Sequence, residues 1–171
     1  MRRVEVLPYS VEWLEMFQEE SEKLRDLFEN EILNVYHIGS TAIPNIKAKP
    51  VIDIMVEVTN IGEVDKFNNK MEQLGYEVMG EYGISKRRFF IKGGDNRTHH
   101  VHIYEEGNEE IVRHLAFRDY MIAHPEEAMK YSELKLTLAE KFPTNIAKYI
   151  EGKNNYIKAI DDKTETWRKN I

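Results

Sequence analysis

The chain has 171 residues, 42% of them hydrophobic and 32% charged, enough for one domain with a sizeable core and short for two. It has no cysteine, which excludes disulfides and thiolate metal sites, so any metal must be held by Asp, Glu or His. A formal net charge of -6 disfavours long polyanions, so no extended nucleic-acid surface is expected, although a local cluster of cations can still hold a small anion.

In chain order, Ser10 is placed to cap a helix carrying Trp13, Phe17, Leu24 and Phe28, with acidic residues early and an end near Asn30. Residues 32–38 alternate as a strand does, and residues 51–58 read as a doubly buried strand rich in β-branched side chains. Between them lies GSTAIPNIKAKP, a turn or short helix. Residues 60–74 are predicted helical and stop at Gly75, after which YEVM, RRFFIK and HHVHIY are three further strands. From Asn108 the pattern becomes helical, over about 109–123, 126–142 and 145–169, with breaks at Pro125 and Pro143. No run of about 18 apolar residues occurs, nor a basic start leading into an apolar segment, so no membrane span or secretory signal is expected and a cytoplasmic location is the default. Oligomeric state leaves no trace in the sequence.

The carboxylate of Asp53 sits inside PVIDIMV, where burial is costly without a partner or a metal. Twelve residues or so before it, a strand ends in Gly39-Ser40-Thr41, whose backbone N–H groups and hydroxyls suit a phosphate; Gly-Ser also closes many ordinary turns. Together these features resemble the nucleotidyltransferase fold of the polymerase-beta superfamily, in which Gly-Ser binds the triphosphate and acidic residues on the next strand hold divalent metal. More specifically, HIGSTAIPNIKAKPVIDI resembles the signature of the GrpB family, and the later HHVHIY, HLAFRDYM and YSELKLTLAEKF follow in that family's order. The resemblance covers most of the chain. It implies an α+β fold in a single domain over 1–171: a nucleotidyltransferase-like mixed sheet flanked by helices, followed by a C-terminal helical block.

The sequence departs from the superfamily at one place. Acidic residues at alternate strand positions would share a face about 6.6 Å apart and so share metal ions, but here Asp53 is followed by Met55, and Glu57 is about 13 Å away. A thioether is a poor ligand for magnesium. His100, His102 and Tyr104 fall on one face of HHVHIY, and the resemblance puts that strand beside Asp53, with His102 where a third acidic ligand would be. Asp53 and His102 are therefore candidate catalytic and metal-ligating residues for magnesium, manganese or zinc, the histidine favouring the softer ions. The alternative is a pair of hydrogen-bonded strand histidines beside a polar cleft.

Three predicted helices interrupt an apolar stripe with one cation each. Arg118 lies among Ile111, Leu115 and Ile122; Lys135 among Ala128, Tyr131, Leu138 and Phe142; Lys153 among Ile146, Ile150, Ile157 and Ile160. Together with Arg88 and Lys92 on one face of RRFFIK, and Lys49 at the rim, they form a candidate anion site. Individually such cations can also snorkel to solvent, or pair locally as Arg118 with Asp119. No Walker loop, GxGxxG or GxSxG elbow is present, so Ser40 lacks the setting of a nucleophile despite His37 and His102. The expected function is binding of a nucleotide or phosphorylated small molecule, with nucleotidyl transfer at a metal on Asp53 as its catalytic form. The alternatives are a non-catalytic phosphate-binding module and an interaction protein on the same scaffold.

Overall fold

A computed structural model describes residues 4–169. Strand β1 (Ile32–Ile38) is followed by β2 (Ile52–Val58), β3 (Tyr76–Gly80), β4 (Arg87–Lys92) and β5 (His99–Glu105), and the sheet order is β1-β2-β5-β4-β3. Only β2 and β5 are parallel; the other neighbours are antiparallel. The helices are α1 (Glu12–Phe28), α2 (Asn68–Gln73), α3 (Glu109–Ala123), α4 (Pro125–Lys141) and α5 (Ile146–Lys169). This is the expected α+β class, a mixed sheet with a helical block at its C-terminal end.

The period of two in β2 decides what lies on each side of the sheet. Ile52, Ile54, Val56 and Val58 face α1 and α2, where they join Trp13, Leu24, Phe28, Val64, Met71, Phe90, Val101 and Ile103 in the main core. Asp53, Met55 and Glu57 face the other way. On that side Ile38, Met55, Tyr104 and Ile111 form a smaller cluster beneath α3, and α3, α4 and α5 pack on one another above it. The segment expected to be one helix over 60–74 is a 3-10 stretch, Ile61–Phe67, leading into the short α2. Ile61, Val64 and Phe67 point into the core at a spacing of three, which suits the tighter helix, and Asn60 caps it by accepting from the Gly62 N–H.

The helical block begins with strong local signals. Asn108 accepts from the Glu110 N–H at the start of α3, and Pro125 occupies the first turn of α4, where its missing N–H costs nothing. The loop between β1 and β2 is tied at two points. Leu7 and Ala48 exchange backbone hydrogen bonds, and the Lys47 N–H donates to Ser132 Oγ on α4 at 2.8 Å. These ties fix the approach of Lys49 to the helices.

Candidate functional site

Between the sheet and the three C-terminal helices lies a cavity of about 320 Å³. Its floor is the amino-terminal ends of β2 and β5, where Asp53 pairs in register with His100 and Met55 with His102. Its wall is the turn after β1, and its roof is α4 and α5. Gly39, Ser40, Thr41, Lys49, Asp53, His102, Lys135 and Lys153 all line it, together with His100, Arg113, His114, Tyr131 and Tyr149.

Asp53 is the most constrained group on the floor. His102 Nε2 lies 3.2 Å and His100 Nδ1 3.5 Å from its Oδ1. Burial alone would push this carboxyl up, but the hydrogen bonds from His100 and His102 outweigh it and hold it well below the usual carboxylate range. Gly39 is fitted to the same group. It has φ 71°, and a Cβ there would stand 2.7 Å from Asp53 Oδ2. A glycine that looks like a phosphate turn in the sequence is thus also required by the carboxylate beside it.

The histidine tautomer follows from a residue that sequence reasoning missed. Arg87 faces this side of the sheet, and its guanidinium lies 3.4 Å from His102 Nδ1 while also donating to the carbonyls of Glu81 and Tyr82. A guanidinium has only N–H donors, so a hydrogen bond here needs the lone pair of Nδ1, and the proton of His102 then sits on Nε2 and donates to Asp53. A metal bound at Nε2 would force the proton onto Nδ1, against the Arg87 N–H groups. Met55, where a second carboxylate would stand, is fully buried among Ile38, Tyr104 and Ile111. Among the described residues no group of three or more His, Asp or Glu side chains is arranged to hold a metal ion. The donors present therefore do not fit the divalent-metal centre expected at Asp53 and His102.

The cations divide into two sets. Lys135 comes from α4 and Lys153 from α5, and the two helices approach closely because Gly152 lies against Leu138; a Cβ there would meet Leu138 Cδ2 at 2.7 Å. Lys135 Nζ lies over the Tyr131 ring at 4.4 Å, and Lys153 and Lys49 lie over Tyr149 at 5.8 and 5.2 Å. Lys135 is 1% exposed, and its ammonium has no hydrogen-bond partner. Burial first, then the charges of Lys153 and Lys49, lower its pKa to about 6. Lys153 is also lowered by burial, against the pull of Asp53. Tyr149 Oη and His100 Nε2 are likewise buried without a partner, so three unsatisfied polar atoms belong to residues of one cavity.

The other expected cations are elsewhere. Arg88 and Lys92 do share a face of β4, but it is the face toward α1: Arg88 Nε donates to Asp65 at 2.7 Å, and Lys92 Nζ to the buried Glu20 at 2.8 Å. Register explains this correction, since Arg87 and Phe89 stand opposite Tyr104 and His102 and so take the cavity side. Arg118 lies outside the cavity lining, donating to Asp119 at 2.9 Å and to the His37 carbonyl at 3.2 Å. Thr41 lines the cavity, but its hydroxyl is 2.9 Å from His37 Nε2. His37 is pulled down to about 4, chiefly by burial. Arg113, which the sequence did not single out, lines the cavity with its charge engaged by Glu110 at 2.6 Å and Asp161 at 3.5 Å.

With Arg113 paired, the cavity presents three lysines against one carboxylate. A family model described as GrpB protein matches residues 3–163. The chain belongs to the GrpB family. The crystal structure of conserved protein GrpB from Enterococcus faecalis has a TM-score of 0.91 and 44% identity, covering 95% of this chain and 99% of that one. The UPF0157 protein YqkA of Bacillus subtilis is 49% identical over 168 residues, 98% of this chain and 49% of that protein, so the chain spans about half the length of YqkA. A protein of Mycolicibacterium paratuberculosis named dephospho-CoA kinase is 22% identical over 189 aligned residues, which cover 96% of this chain and 46% of that protein. No helix among the described residues of this GrpB protein is long and apolar enough to cross a membrane.

Proposed function

We propose that this GrpB protein binds a small phosphorylated ligand, a nucleotide or a related phosphate ester, in the cavity between its sheet and α4–α5. The observation that carries this reading is Lys135: a fully buried amine with no hydrogen-bond partner, opening on a cavity that also holds Lys49 and Lys153. An unpaired buried amine is costly, and a multiply charged anion supplies the missing acceptors and the missing charge together. A pocket of about 320 Å³ is at the small end of ligand sites, which suits a phosphate group with a compact organic part. Tyr149 Oη can donate to the same anion, and Ser40 beside Tyr131 adds a hydroxyl.

Binding is favoured over nucleotidyl transfer for a reason internal to the site. Transfer in the manner of the superfamily resemblance needs metal to neutralise the leaving phosphates, and the donors around Asp53 do not fit that group. Here the lysines take the charge-neutralising role. Asp53 and the two histidines order the floor, and Asp53 also keeps Lys153 from facing two like charges alone.

A thermal-unfolding screen tests the reading. ATP, GTP, CTP, UTP and dephospho-CoA are each added with and without magnesium, manganese or zinc. Ligand at 100 times its dissociation constant adds about 2.7 kcal/mol, or roughly 5 to 11 °C for a domain of this size. A shift that does not need metal and is lost in Lys153→Gln supports a phosphate site. A shift that appears only with metal, and is lost in Asp53→Asn, favours the metal-assisted transferase reading. No shift in a cooperatively melting protein overturns phosphate binding.

A further inference from the structure

The cavity contains more positive charge than it can hold when empty of an anion, and the lysines are not equivalent. Asp53 already accepts from His100 and His102, and its charge partly offsets that of Lys153. Lys135 has no carboxylate. It meets the ring of Tyr131 on its own helix, Lys153 and Tyr149 from α5 and Lys49 from the loop before β2, with Asp53 and His100 on the floor below. Its amine is buried, unpartnered and flanked by two like charges.

We propose that Lys135 takes up one proton from solvent when a dianion enters this cavity, so that the site selects a dianionic terminal phosphate over a monoanionic diester and couples its binding to pH. The inference rests on the phosphate-site reading above. Without ligand, burial and the two neighbouring lysines favour the neutral amine. A dianion removes both causes: it offers an oxygen acceptor to the buried amine, and its two negative charges offset those of Lys49 and Lys153. The amine lone pair then binds a proton from bulk water, and one proton is consumed per ligand. A monoanion balances only one cation and leaves less reason for the third to charge.

The other groups facing Lys135 respond differently. Asp53 is held ionised well below neutrality, and Tyr131 and Tyr149 are pushed up by burial, so all three keep their protonation at pH 7 to 8. Lys153, His100 and His114, each lowered by burial, and His102 in the same lining are the other groups able to take up a proton, and a Lys135 variant separates their uptake from that of Lys135.

The test is isothermal titration calorimetry of the full chain with sulfate, which is the size of phosphate and stays a dianion throughout the working range. Titrations at pH 8 in Tris and in HEPES differ in heat according to the ionisation enthalpy of the buffer, and the difference gives the number of protons exchanged. The expected result is uptake of about one proton per sulfate, with affinity weakening about tenfold from pH 7 to pH 8. In Lys135→Met, checked for cooperative melting, the uptake disappears. Sulfate binding without proton uptake in the wild type, or with undiminished uptake in Lys135→Met, overturns this inference and leaves the phosphate site standing. Absence of sulfate binding in the wild type overturns it, and a simultaneous failure of the nucleotide screen removes the underlying site as well.

Discussion

Replacing Lys135 with methionine should make the ligand-free protein more stable at neutral pH, which is unusual for a charged residue facing a functional cavity. The lysine has its ordinary pKa of 10.5 when the chain is unfolded and about 6 when folded. Between these values the unfolded state binds more protons than the native one, so stability rises with pH across that window and the penalty is largest below pH 6. At pH 7 the unfolded lysine is three and a half pH units below its pKa, and at about 1.36 kcal/mol per unit the penalty is roughly 5 kcal/mol. Methionine keeps most of the apolar stem. With the amine neutral at this pH there is no cation contact with Tyr131 to lose, and the remaining cost is repacking, up to about 1.5 kcal/mol, so the net gain is at least roughly 3 kcal/mol. That corresponds to a rise of about 6 to 12 °C in melting temperature. Thermal and urea unfolding at pH 6.5, 7.5 and 8.5 check both parts: wild type gains about 1.4 kcal/mol per pH unit from this group, and the gap to the variant closes as pH rises. A variant that is no more stable at pH 7, or a gap that does not change with pH, would refute a neutral, unpaired Lys135.

Four other outcomes follow from neighbouring groups. Gly39→Ala meets Asp53 Oδ2 at 2.7 Å and carries a positive φ, so it should cost about 1 to 3 kcal/mol in urea unfolding and weaken any phosphate-dependent shift. Asp53→Asn removes a carboxylate whose folded pKa is depressed. Its contribution is present above the ordinary carboxylate pKa and is lost as pH falls through the folded value, so the variant should be about 1 to 3 kcal/mol less stable at pH 7 and should converge with wild type in acid melts. Met55→Asp places a carboxylate at a fully buried position, and is expected to lower the melting temperature sharply at pH 7 without creating a magnesium- or manganese-dependent shift. Glu20→Gln, on the opposite face of the sheet, breaks the pairing with Lys92 at 2.8 Å and His99 at 3.4 Å, and should cost about 3 to 5 kcal/mol while leaving sulfate affinity unchanged.

The sequence reveals this site where periodicity meets charge, and hides it where a choice of face is needed. Lys135 and Lys153 break apolar helical stripes, and a cation on an inward face has to be explained; both line the cavity. Arg118 breaks a stripe in the same way, yet α3 is rotated so that its guanidinium reaches Asp119 and the β1 carbonyl instead. Period two in RRFFIK correctly groups Arg88 with Lys92, but periodicity alone does not say which layer covers that face. The answer lies in the pairing of Arg87 with Tyr104, a contact between residues 17 apart in sequence. The strands themselves are legible nearly to the residue, because β1 alternates and β2 is apolar on both faces except at Asp53 and Glu57. The stretch before Gly75 reads as a single α-helix because apolar residues spaced by three suit a 3-10 helix as well as one face of an α-helix.

Why Asp53 is tolerated and a carboxylate at 55 would not be is a matter of two residues along one strand face. At 53 the space above the sheet opens into the cavity under α4 and α5; Gly39 lies close against the carboxylate, and two histidines donate to it there. At 55 the same face is covered by Ile111 of α3, with Ile38 and Tyr104 on either side, and the position is fully buried. The boundary between wet and dry crosses β2 between these positions. A pair of metal-binding carboxylates would need both on the wet side. With only one there, positive charge enters the cavity from lysines on the roof and rim, and the negative charge that balances them has to arrive with the ligand.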